Sequence, residues 1–387
     1  MSRGLAGPSR IFLLAGEPSG DLQAALVADA LRRLAPEVEL WGVGGPRMEA
    51  SGVRLIQRSD ALGVVGFLEV IEHIGQVGGA LTRVSQWLGE MRPDLFVPVD
   101  YPDFNFRLLP RARRLGIPIV WYIGPQLWAW RPGRIEVLRR YARRVVVLFP
   151  FEAQIYRDAS VPVTWVGHPL VERLTPLTAG DRAAARGALG LDPTRISVAL
   201  LPGSRRSEIS RLAPILTDAR KRIDQERAAA GRPPVAWIVG RAARLDATAA
   251  REIGGENSLC ELEGARALAL ADLAVVASGT ATLEAALLET PSVVVYRTNA
   301  LTFAIARRLV RVPHIAMANL VAEQRVFPEL LQDAATPEGI ADSLRPWLDD
   351  PAARALAREQ VRAVRARLGP PGAADRAARA MLSELRR

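Results

Sequence analysis

Short apolar segments rich in β-branched residues alternate with longer stretches rich in alanine, leucine and arginine along almost the whole chain. The apolar segments lie at 11–15, 38–41, 95–99, 119–123, 145–149, 163–166, 197–201, 235–239, 273–277 and 292–296. Continuously apolar strands separated by helices are typical of parallel sheets that are covered on both faces. The pattern therefore predicts an α/β protein built on parallel β-sheets.

The predicted strands form two series, separated by Gly167-His168-Pro169 and a polar, alanine-rich segment at 175–191. Each series is long enough for one doubly wound domain, so we expect two. The stretch 351–387 has a helical composition that is interrupted by Gly369-Pro370-Pro371-Gly372. Ligands of open α/β sheets bind at the carboxyl ends of the strands, so we expect a cleft lined by the loops that follow the strands.

The charge balance limits the kinds of partner. The chain carries 51 Lys and Arg against 41 Asp and Glu, a net charge of +10, which favours phosphorylated substrates, anionic membranes or nucleic acid. No aromatic-basic motif for nucleic acid is evident, so we do not expect a nucleic-acid partner. The single Cys260 excludes an internal disulfide, and three histidines without ligand spacing predict neither a metal nor another cofactor. Without a signal peptide or membrane span, we expect a cytoplasmic protein that is soluble or peripheral.

The loop after the first strand contains Gly16, Glu17, Ser19, Gly20 and Asp21. Glycines allow a ligand to approach the backbone, and the following helix offers free amide groups. Helix capping by Ser19 or Asp21 is the structural alternative. The acidic and hydroxylated residues at a strand end favour a substrate loop, formed by Gly16, Glu17, Ser19 and Asp21.

A second acidic loop, Asp100-Tyr101-Pro102-Asp103, follows the strand at 95–99. A general base for a hydroxyl nucleophile needs a fixed carboxylate whose pKa its neighbours can tune. We expect one aspartate to be structural and one to be functional, and the spacing does not distinguish Asp100 from Asp103.

Two glycine loops in the second series are typical of phosphate sites. Gly203-Ser204-Arg205 combines backbone amides with a guanidinium group, and Ser278-Gly279-Thr280 begins a helix whose dipole favours an anion. Thr282 follows in that helix, and Glu284, one turn on, could accept hydrogen bonds from ribose hydroxyls. Ordinary capping explains either loop alone, but two such loops in one domain favour a nucleotide diphosphate.

An apolar stripe recurs at helical spacing within 62–77. Such a helix faces a protein core or lies in a membrane interface, where nearby arginines would meet anionic headgroups. We take the second interpretation as a hypothesis, and the residues expected to contact the membrane are Val64, Phe67, Leu68, Ile71 and Ile74.

The ordered set of motifs resembles that of the lipid-A-disaccharide synthase family over nearly the whole chain. The matching segments are Ala15-Gly16-Glu17-Pro18-Ser19-Gly20-Asp21, Gly44-Gly45-Pro46-Arg47-Met48, Asp100-Tyr101-Pro102-Asp103-Phe104-Asn105, Trp128-Ala129-Trp130-Arg131, Leu148-Phe149-Pro150-Phe151-Glu152, Gly167-His168-Pro169-Leu170, Leu201-Pro202-Gly203-Ser204-Arg205, Ala277-Ser278-Gly279-Thr280-Ala281-Thr282-Leu283-Glu284, and Asn319 with Pro328-Glu329-Leu330-Leu331-Gln332.

The resemblance implies a GT-B fold, in which two Rossmann-like domains face a central cleft. The domains would span 1–167, for the acceptor and the membrane, and 168–345, for the UDP-sugar donor, with helices at 346–387 packing back on the first domain. It implies transfer from UDP-2,3-diacylglucosamine to 2,3-diacylglucosamine 1-phosphate (lipid X), giving UDP and a lipid A disaccharide phosphate. It also implies a metal-free, inverting enzyme on the cytoplasmic face of the inner membrane. The sequence leaves open whether the protein is a monomer or a homodimer.

Carried over by motif, the family's essential aspartate falls on Asp103, its essential arginine on Arg205 and the donor-site acid on Glu284; Asn319 joins the expected donor site. We therefore expect Asp103 to deprotonate the acceptor hydroxyl and Arg205 to meet the charge of the departing UDP, with Asp100 in the acceptor loop. The sequence departs from the family pattern at Gln23-Ala24 and at Gly124. These departures bear on acyl-chain and sugar details more than on the reaction. Two alternatives remain at this stage: another GT-B enzyme such as a UDP-sugar epimerase, and a non-catalytic protein that binds membrane surfaces.

Overall fold

The computed structural model describes residues 8–59, 74–127, 133–242, 245–256, 258–260, 262–299, 303 and 312–385, with the side chains of 74–77 left out. The chain forms two compact units. The first contains Met1–Pro169 together with Pro370–Arg387, and the second contains Leu170–Gly369. The chain therefore leaves the first unit once and returns to it once.

The first unit is a seven-stranded parallel sheet in the order β3-β2-β1-β4-β5-β6-β7. Its strands are β1 (Arg10–Ala15), β2 (Glu39–Gly44), β3 (Arg54–Arg58), β4 (Leu95–Val99), β5 (Val120–Tyr122), β6 (Arg144–Val147) and β7 (Val163–Trp165). Its helices are α1 (Pro18–Leu34), α2 (Pro46–Ala50), α3 (Ile74–Met91), α4 (Pro102–Arg114), α5 (Arg134–Tyr141) and α6 (Pro150–Asp158). The last helix of the chain, α16 (Ala373–Leu385), also belongs to this unit.

Both faces of this sheet are buried, as the continuous apolar strands predicted. Ile11 and Leu13 of β1 pack with α1 and α16 on one face, while Phe12 and Leu14 pack against the helices of the other face. All four side chains have no exposed surface. Strand side chains alternate between faces, so a strand that is covered twice has to be apolar at every position.

The second unit is a five-stranded parallel sheet in the order β12-β11-β10-β8-β9. Its strands are β8 (Ser197–Leu201), β9 (Ala236–Val239), β10 (Leu273–Ala277), β11 (Ser292–Tyr296) and β12 (Glu329–Leu331). The described helices of this unit are α7 (Leu170–Arg173), α8 (Ala179–Ala188), α9 (Arg206–Ala229), α10 (Ala247–Gly254), α11 (Gly264–Leu270), α12 (Thr280–Leu287), α13 (Met317–Ala322), α14 (Pro337–Asp349) and α15 (Pro351–Arg367).

The C-terminal helices divide differently from the expected segment at 346–387. Helix α15 contacts α12, α13 and α14 and belongs to the second unit, where Ala357, Val361 and Val364 are buried. Helix α16 belongs to the first unit, where it packs against α1 and near β4 and β5. The chain changes units at Gly369/Pro370, inside the glycine-proline segment that the sequence identified as the helix break.

Candidate functional site

The loops after β1 and β4 lie side by side in the first unit. Strand β1 pairs with β2 on one side and with β4 on the other, so the strand order changes direction between β1 and β4. Ligands of open α/β sheets bind at such a switch point. The structure therefore brings together the two loops in which the sequence predicted substrate residues.

Tyr101 joins these two loops. A Cβ at Gly16 would overlap the Tyr101 ring, so only glycine fits beneath it. Asp100 and Tyr101 both have left-handed backbone, with φ of +47° and +49°. Consecutive non-glycine residues rarely adopt this conformation, which costs about 1–3 kcal/mol each and clusters at functional sites. Asn105, which is fully buried, holds the turn by donating from Nδ2 to the Asp100 carbonyl at 2.7 Å.

Asp100 has the environment of a tuned base. It follows β4 directly, and burial, helped by the nearby charge of Glu17, raises its pKa from 3.8 to about 6. Burial, Glu17 and Asp103 also raise the pKa of the Tyr101 hydroxyl. Desolvation disfavours the charged form of a carboxyl group, and a second carboxylate disfavours it further. Asp100 consequently exchanges its proton near neutral pH.

Asp103 has a different environment, on the first turn of α4. Its side chain is 63% exposed and forms an ion pair with Arg134 of α5. The guanidinium of Arg134 also lies 5.2 Å from the centre of the Phe106 ring, which fixes the position of the pair. The two aspartates that spacing did not distinguish therefore differ clearly in burial and in partners.

Asp21, predicted to be in the substrate loop, has a structural role instead. It is 3% exposed, and its carboxylate accepts hydrogen bonds from the amides of Gly45 at 2.7 Å, Arg47 at 3.1 Å and Met48 at 3.1 Å. These amides open helix α2, whose N-cap residue Gly45 has no side chain to cap it. A Cβ at Gly45 would lie 2.7 Å from Asp21 Oδ2, which explains the glycine. Gly16 and Glu17 remain in the loop and Ser19 lies in the first turn of α1, with Glu17 and Ser19 exposed.

The two glycine loops of the second unit also meet at a switch point. Strand β8 pairs with β9 on one side and with β10 on the other, and the loops follow β8 and β10. Gly203 has φ of +105°, and a Cβ there would lie 3.4 Å from Ala277 Cβ, at the end of β10. The sheet thus places Gly203-Ser204-Arg205 beside Ser278-Gly279-Thr280.

Glu208 organises the first of these loops, and sequence reasoning missed it. Its Oε2 accepts hydrogen bonds from the amides of Ser204 at 3.1 Å and Arg205 at 3.2 Å. Its Oε1 accepts one from Arg205 Nη1 at 3.2 Å, while the Arg205 side chain stays 71% exposed. The signal was present in the sequence, because a glutamate three residues after the N-cap is the acidic half of a capping box. Glu208 thus holds one side of the Arg205 guanidinium, and the other side is accessible to a ligand.

The second loop leaves its surface open. Gly279 has φ of +151°, and a Cβ there would meet no atom within 4 Å. Helix α12 begins at Thr280, and the first amides of a helix have no partners within it. Ser278 is half-buried and Thr280 is exposed. Amides with open space above them are suited to an anion.

Two predicted donor residues lie deeper than expected. Thr282 is fully buried, and its hydroxyl donates to the Gly279 carbonyl at 2.8 Å, so it supports the loop rather than a ligand. Glu284 is half-buried, and burial raises its pKa although Arg173 opposes the rise. Glu284 keeps the position predicted for it, one turn into α12.

Asn319 has a structural role. It is fully buried, its Oδ1 accepts from the Phe327 amide at 2.9 Å, and its Nδ2 donates to the Phe327 carbonyl at 2.9 Å and to Glu329 Oε1 at 2.8 Å. Glu329 also accepts from the amides of Ile315 and Ala316. Because these bonds use both ends of its amide group, Asn319 joins α13 to the β12 segment rather than binding the donor.

The departure from the family pattern at Gly124 has a packing reason. A Cβ at this position would lie 2.7 Å from the hydroxyl oxygen of Tyr156. That hydroxyl donates to the Pro125 carbonyl at 3.2 Å. A larger residue at 124 would require the buried tyrosine to move.

The predicted membrane residues Val64, Phe67, Leu68 and Ile71 lie outside the described residues, as does the side chain of Ile74. Within the described part of the chain, no helix is both long and apolar enough to cross a membrane. The same part contains no group of three or more His, Cys, Asp or Glu side chains arranged to hold a metal ion.

Comparison with known sequences identifies the family. The family model described as lipid-A-disaccharide synthetase matches residues 11–373. The chain belongs to the lipid-A-disaccharide synthetase family. Its relatives include the lipid-A-disaccharide synthase of Geobacter metallireducens, 40% identical with 99% of each chain covered. The synthase of Myxococcus xanthus is 39% identical, with 98% of this chain and 99% of the relative covered.

Solved structures share the architecture of this family member at low sequence identity. The calicheamicin glycosyltransferase CalG4 has a TM-score of 0.61 at 17% identity, covering 98% of this chain and 99% of that one. The UDP-GlcNAc 2-epimerase of Neisseria meningitidis, bound to UDP-GlcNAc, has a TM-score of 0.59 at 10% identity, covering 97% and 100%. These likenesses confirm the GT-B fold that the sequence motifs implied.

Proposed function

We propose that this protein is a glycosyltransferase that makes the lipid A disaccharide. The observation that carries the proposal is the family match over residues 11–373, together with relatives named lipid-A-disaccharide synthase that align over 97–99% of the chain. The donor would be UDP-2,3-diacylglucosamine and the acceptor 2,3-diacylglucosamine 1-phosphate. The UDP-sugar epimerase alternative has less support, because the epimerase of Neisseria meningitidis shares only 10% identity with this chain.

In this proposal the acceptor hydroxyl attacks the anomeric carbon of the donor. The hydroxyl proton passes to a carboxylate of the protein, the new C–O bond forms, and the bond from the anomeric carbon to the UDP oxygen breaks with inversion. A base works best when its pKa lies near the working pH. Asp100 meets that requirement, with a pKa of about 6 and a place at the switch point. We therefore propose Asp100 as the base in place of Asp103, which the family motif suggested and whose carboxylate is exposed and ion-paired.

Asp103 then has a supporting role in the proposal. Its carboxylate is exposed and ion-paired with Arg134, so the pair presents a fixed positive group beside the loop of Asp100. The acceptor carries a phosphate, and a guanidinium group can bind phosphate through two parallel hydrogen bonds. We therefore assign the Asp103–Arg134 pair to orientation of the acceptor.

The departing UDP requires positive charge as its own negative charge develops. Arg205, held by Glu208, and the open amides at Ser278-Gly279-Thr280 are suited to supply it. Gly203 and Ser204 would contact the diphosphate through the backbone, and Glu284 would accept from the ribose hydroxyls. Removal of one such contact to a developing oxyanion typically costs about 3–4 kcal/mol of barrier, or 10²–10³ in rate.

The acyl chains of both substrates imply a membrane surface, so we include peripheral binding to the cytoplasmic face of the inner membrane. The net charge of +10 supports attraction to anionic headgroups. Flotation with liposomes tests this part. The double substitution Phe67→Asp and Ile71→Asp should abolish co-flotation. Ser19→Asp, at an exposed residue, is the control, and an equal loss of co-flotation in this variant would refute a specific role for the apolar stripe at 62–77.

The experiment for the function incubates the protein with both lipid substrates and measures UDP release and the disaccharide product. UDP release should require the acceptor. Conversion of UDP-N-acetylglucosamine alone would instead establish the epimerase. Arg205→Ala should reduce both UDP affinity and rate, and Arg211→Ala, on the exposed side of the same helix, is its matched control.

A further inference from the structure

Two buried arginines lie one turn apart on helix α8. Arg182 and Arg186 are each only 5% exposed. Arg358 of α15, which is half-buried, is a third member of the group, since its charge acts on that of Arg182. Like charges at positions i and i+4 repel each other, and buried guanidinium groups need partners for their hydrogens.

The nearby carboxylates do not balance these three charges. Asp272 Oδ2 accepts from the Ser197 amide at 3.0 Å and hydroxyl at 3.2 Å, and lies 2.9 Å from Arg186 Nη2. Its Oδ1 lies 3.8 Å from Arg182 Nη1, which is beyond hydrogen-bond distance. One carboxylate therefore pairs with Arg186 and lies too far from Arg182 to hydrogen-bond to it.

The second carboxylate belongs to another pair. Glu289 receives hydrogen bonds on both oxygens from Arg362, at 3.1 Å and 3.0 Å. Arg358 reaches this residue only through the backbone, donating from Nε to the Glu289 carbonyl at 3.1 Å. The group of Arg182, Arg186 and Arg358 consequently keeps an excess of positive charge.

Two of the three arginines have a buried nitrogen without a hydrogen-bond partner. These atoms are Arg182 Nε and Arg358 Nη2. Arg186 is better satisfied, because its Nε donates to the Leu270 carbonyl at 2.7 Å and its Nη2 pairs with Asp272. Burying polar nitrogens without hydrogen bonds is costly, so groups of this kind normally meet an ordered water or an ion.

We propose that Arg182, Arg186 and Arg358 bind a small inorganic anion, of the halide or phosphate type. An anion would accept hydrogen bonds from the unpartnered nitrogens and would also neutralise the excess positive charge. A water molecule would accept the hydrogen bonds but would not change the charge. Burial and the charge of Arg358 lower the pKa of Arg182 to about 10, which agrees with positive charge that Asp272 does not compensate.

The anion site is separate from the proposed donor site. Asp272 immediately precedes β10, and Ser278 immediately follows it, so the two residues lie at opposite ends of the same strand. Six residues of strand span roughly 20 Å. The anion would connect α8, α15 and the start of β10, and it would stabilise the second unit without taking part in the reaction.

Thermal unfolding of the full chain tests the proposal. Potassium gluconate is replaced by bromide, or in a second arm by phosphate, at constant ionic strength. An anion at ten times its Kd multiplies the folding equilibrium constant by about 11, which corresponds to a rise of roughly 3–5 °C in Tm for a unit of this size. The arm that gives the larger rise identifies the type of anion.

Arg182→Met keeps the apolar stem and removes the charge, so it should abolish the rise in Tm. Arg222→Met, at an arginine that is 42% exposed on α9, is the control and should retain it. Equal rises in the two variants would refute the site. Crystals soaked in bromide give a test that needs no variant: an anomalous peak among the three guanidinium groups supports the proposal, and water density there overturns it.

Discussion

Replacing Asp100 by asparagine should stabilise the protein at neutral pH while removing its activity. The folded protein raises the pKa of this carboxyl group from 3.8 to about 6. A tenfold change in proton affinity corresponds to about 1.4 kcal/mol, so ionisation of Asp100 in the folded state costs up to about 3 kcal/mol of folding stability. Asparagine has no charge to desolvate. It also tolerates the left-handed backbone, at φ of +47°, better than most residues.

The pH dependence has a definite sign. Since the folded pKa is the higher one, the folded protein holds its proton between pH 4 and pH 6 while the unfolded chain releases it. The contribution of Asp100 to stability is therefore full below pH 4, falls as the pH rises to 6, and stays low above that. Urea unfolding should show equal stability for Asp100→Asn and the parent at pH 4, and an advantage of up to about 3 kcal/mol for the variant at pH 8.

The same variant should lose 10²–10⁴ in rate if Asp100 is the base. In the parent, kcat/KM should fall about tenfold per pH unit below pH 6, because only the ionised carboxylate accepts the proton. Asp103→Asn makes the same chemical change at an exposed carboxylate of the acceptor-orienting pair, so it should raise KM for the acceptor while the pH dependence below pH 6 stays unchanged. Rate loss in Asp103→Asn with normal turnover in Asp100→Asn would refute the base assignment, and an Asp100→Asn protein less stable at pH 8 would refute the environment described for it.

Four further substitutions have definite expected outcomes. Asp21→Ala leaves three amides of a helix start unpaired and should lower the unfolding free energy by about 2–4 kcal/mol, measured by urea. Asn319→Ala should destabilise the protein by a similar amount, and calorimetry should find the UDP affinity of the folded variant unchanged. A large loss of UDP affinity would instead show that Asn319 belongs to the donor site. Glu208→Gln should weaken UDP binding about tenfold in the parent but hardly at all in an Arg205→Ala background; additive losses in this double-mutant cycle would mean that Glu208 does not act through Arg205. Burial lowers the pKa of His168 to about 4, so the contribution of His168 to stability should be lost as the pH is lowered from 6.5 to 4, and urea unfolding should show that His168→Gln removes this loss.

Apolar runs predicted ten of the twelve strands in the described part of the chain, and all of these except the edge strand β7 are mainly buried. The two strands that were missed, β3 and β12, are edge strands of their sheets. Strand β3 begins and ends with exposed arginines, and β12 has three half-buried residues. At β3 and β12 the edge position requires less apolar surface, so their sequences lack the continuous run that identified the other strands.

The loops of the candidate site were also predictable, because they follow strands whose carboxyl ends share an edge. The roles of individual residues were less so. Nothing in the spacing of Asp100 and Asp103 indicates that one is desolvated beside Glu17. Likewise, Asp21 and Asn319 lie in motifs that predicted contact with a ligand. Only the tertiary structure shows that their polar atoms already have partners within the protein.

The second unit is inserted into the first between Pro169 and Pro370. Helix α16 contributes Ala377, Ala378 and Met381 to the same core as Ile11, at the other end of the sequence. During synthesis on the ribosome, the inserted unit emerges complete before the core of the surrounding unit has its last helix. The nascent first unit must therefore keep one apolar face of α1 uncovered until α16 has been synthesised.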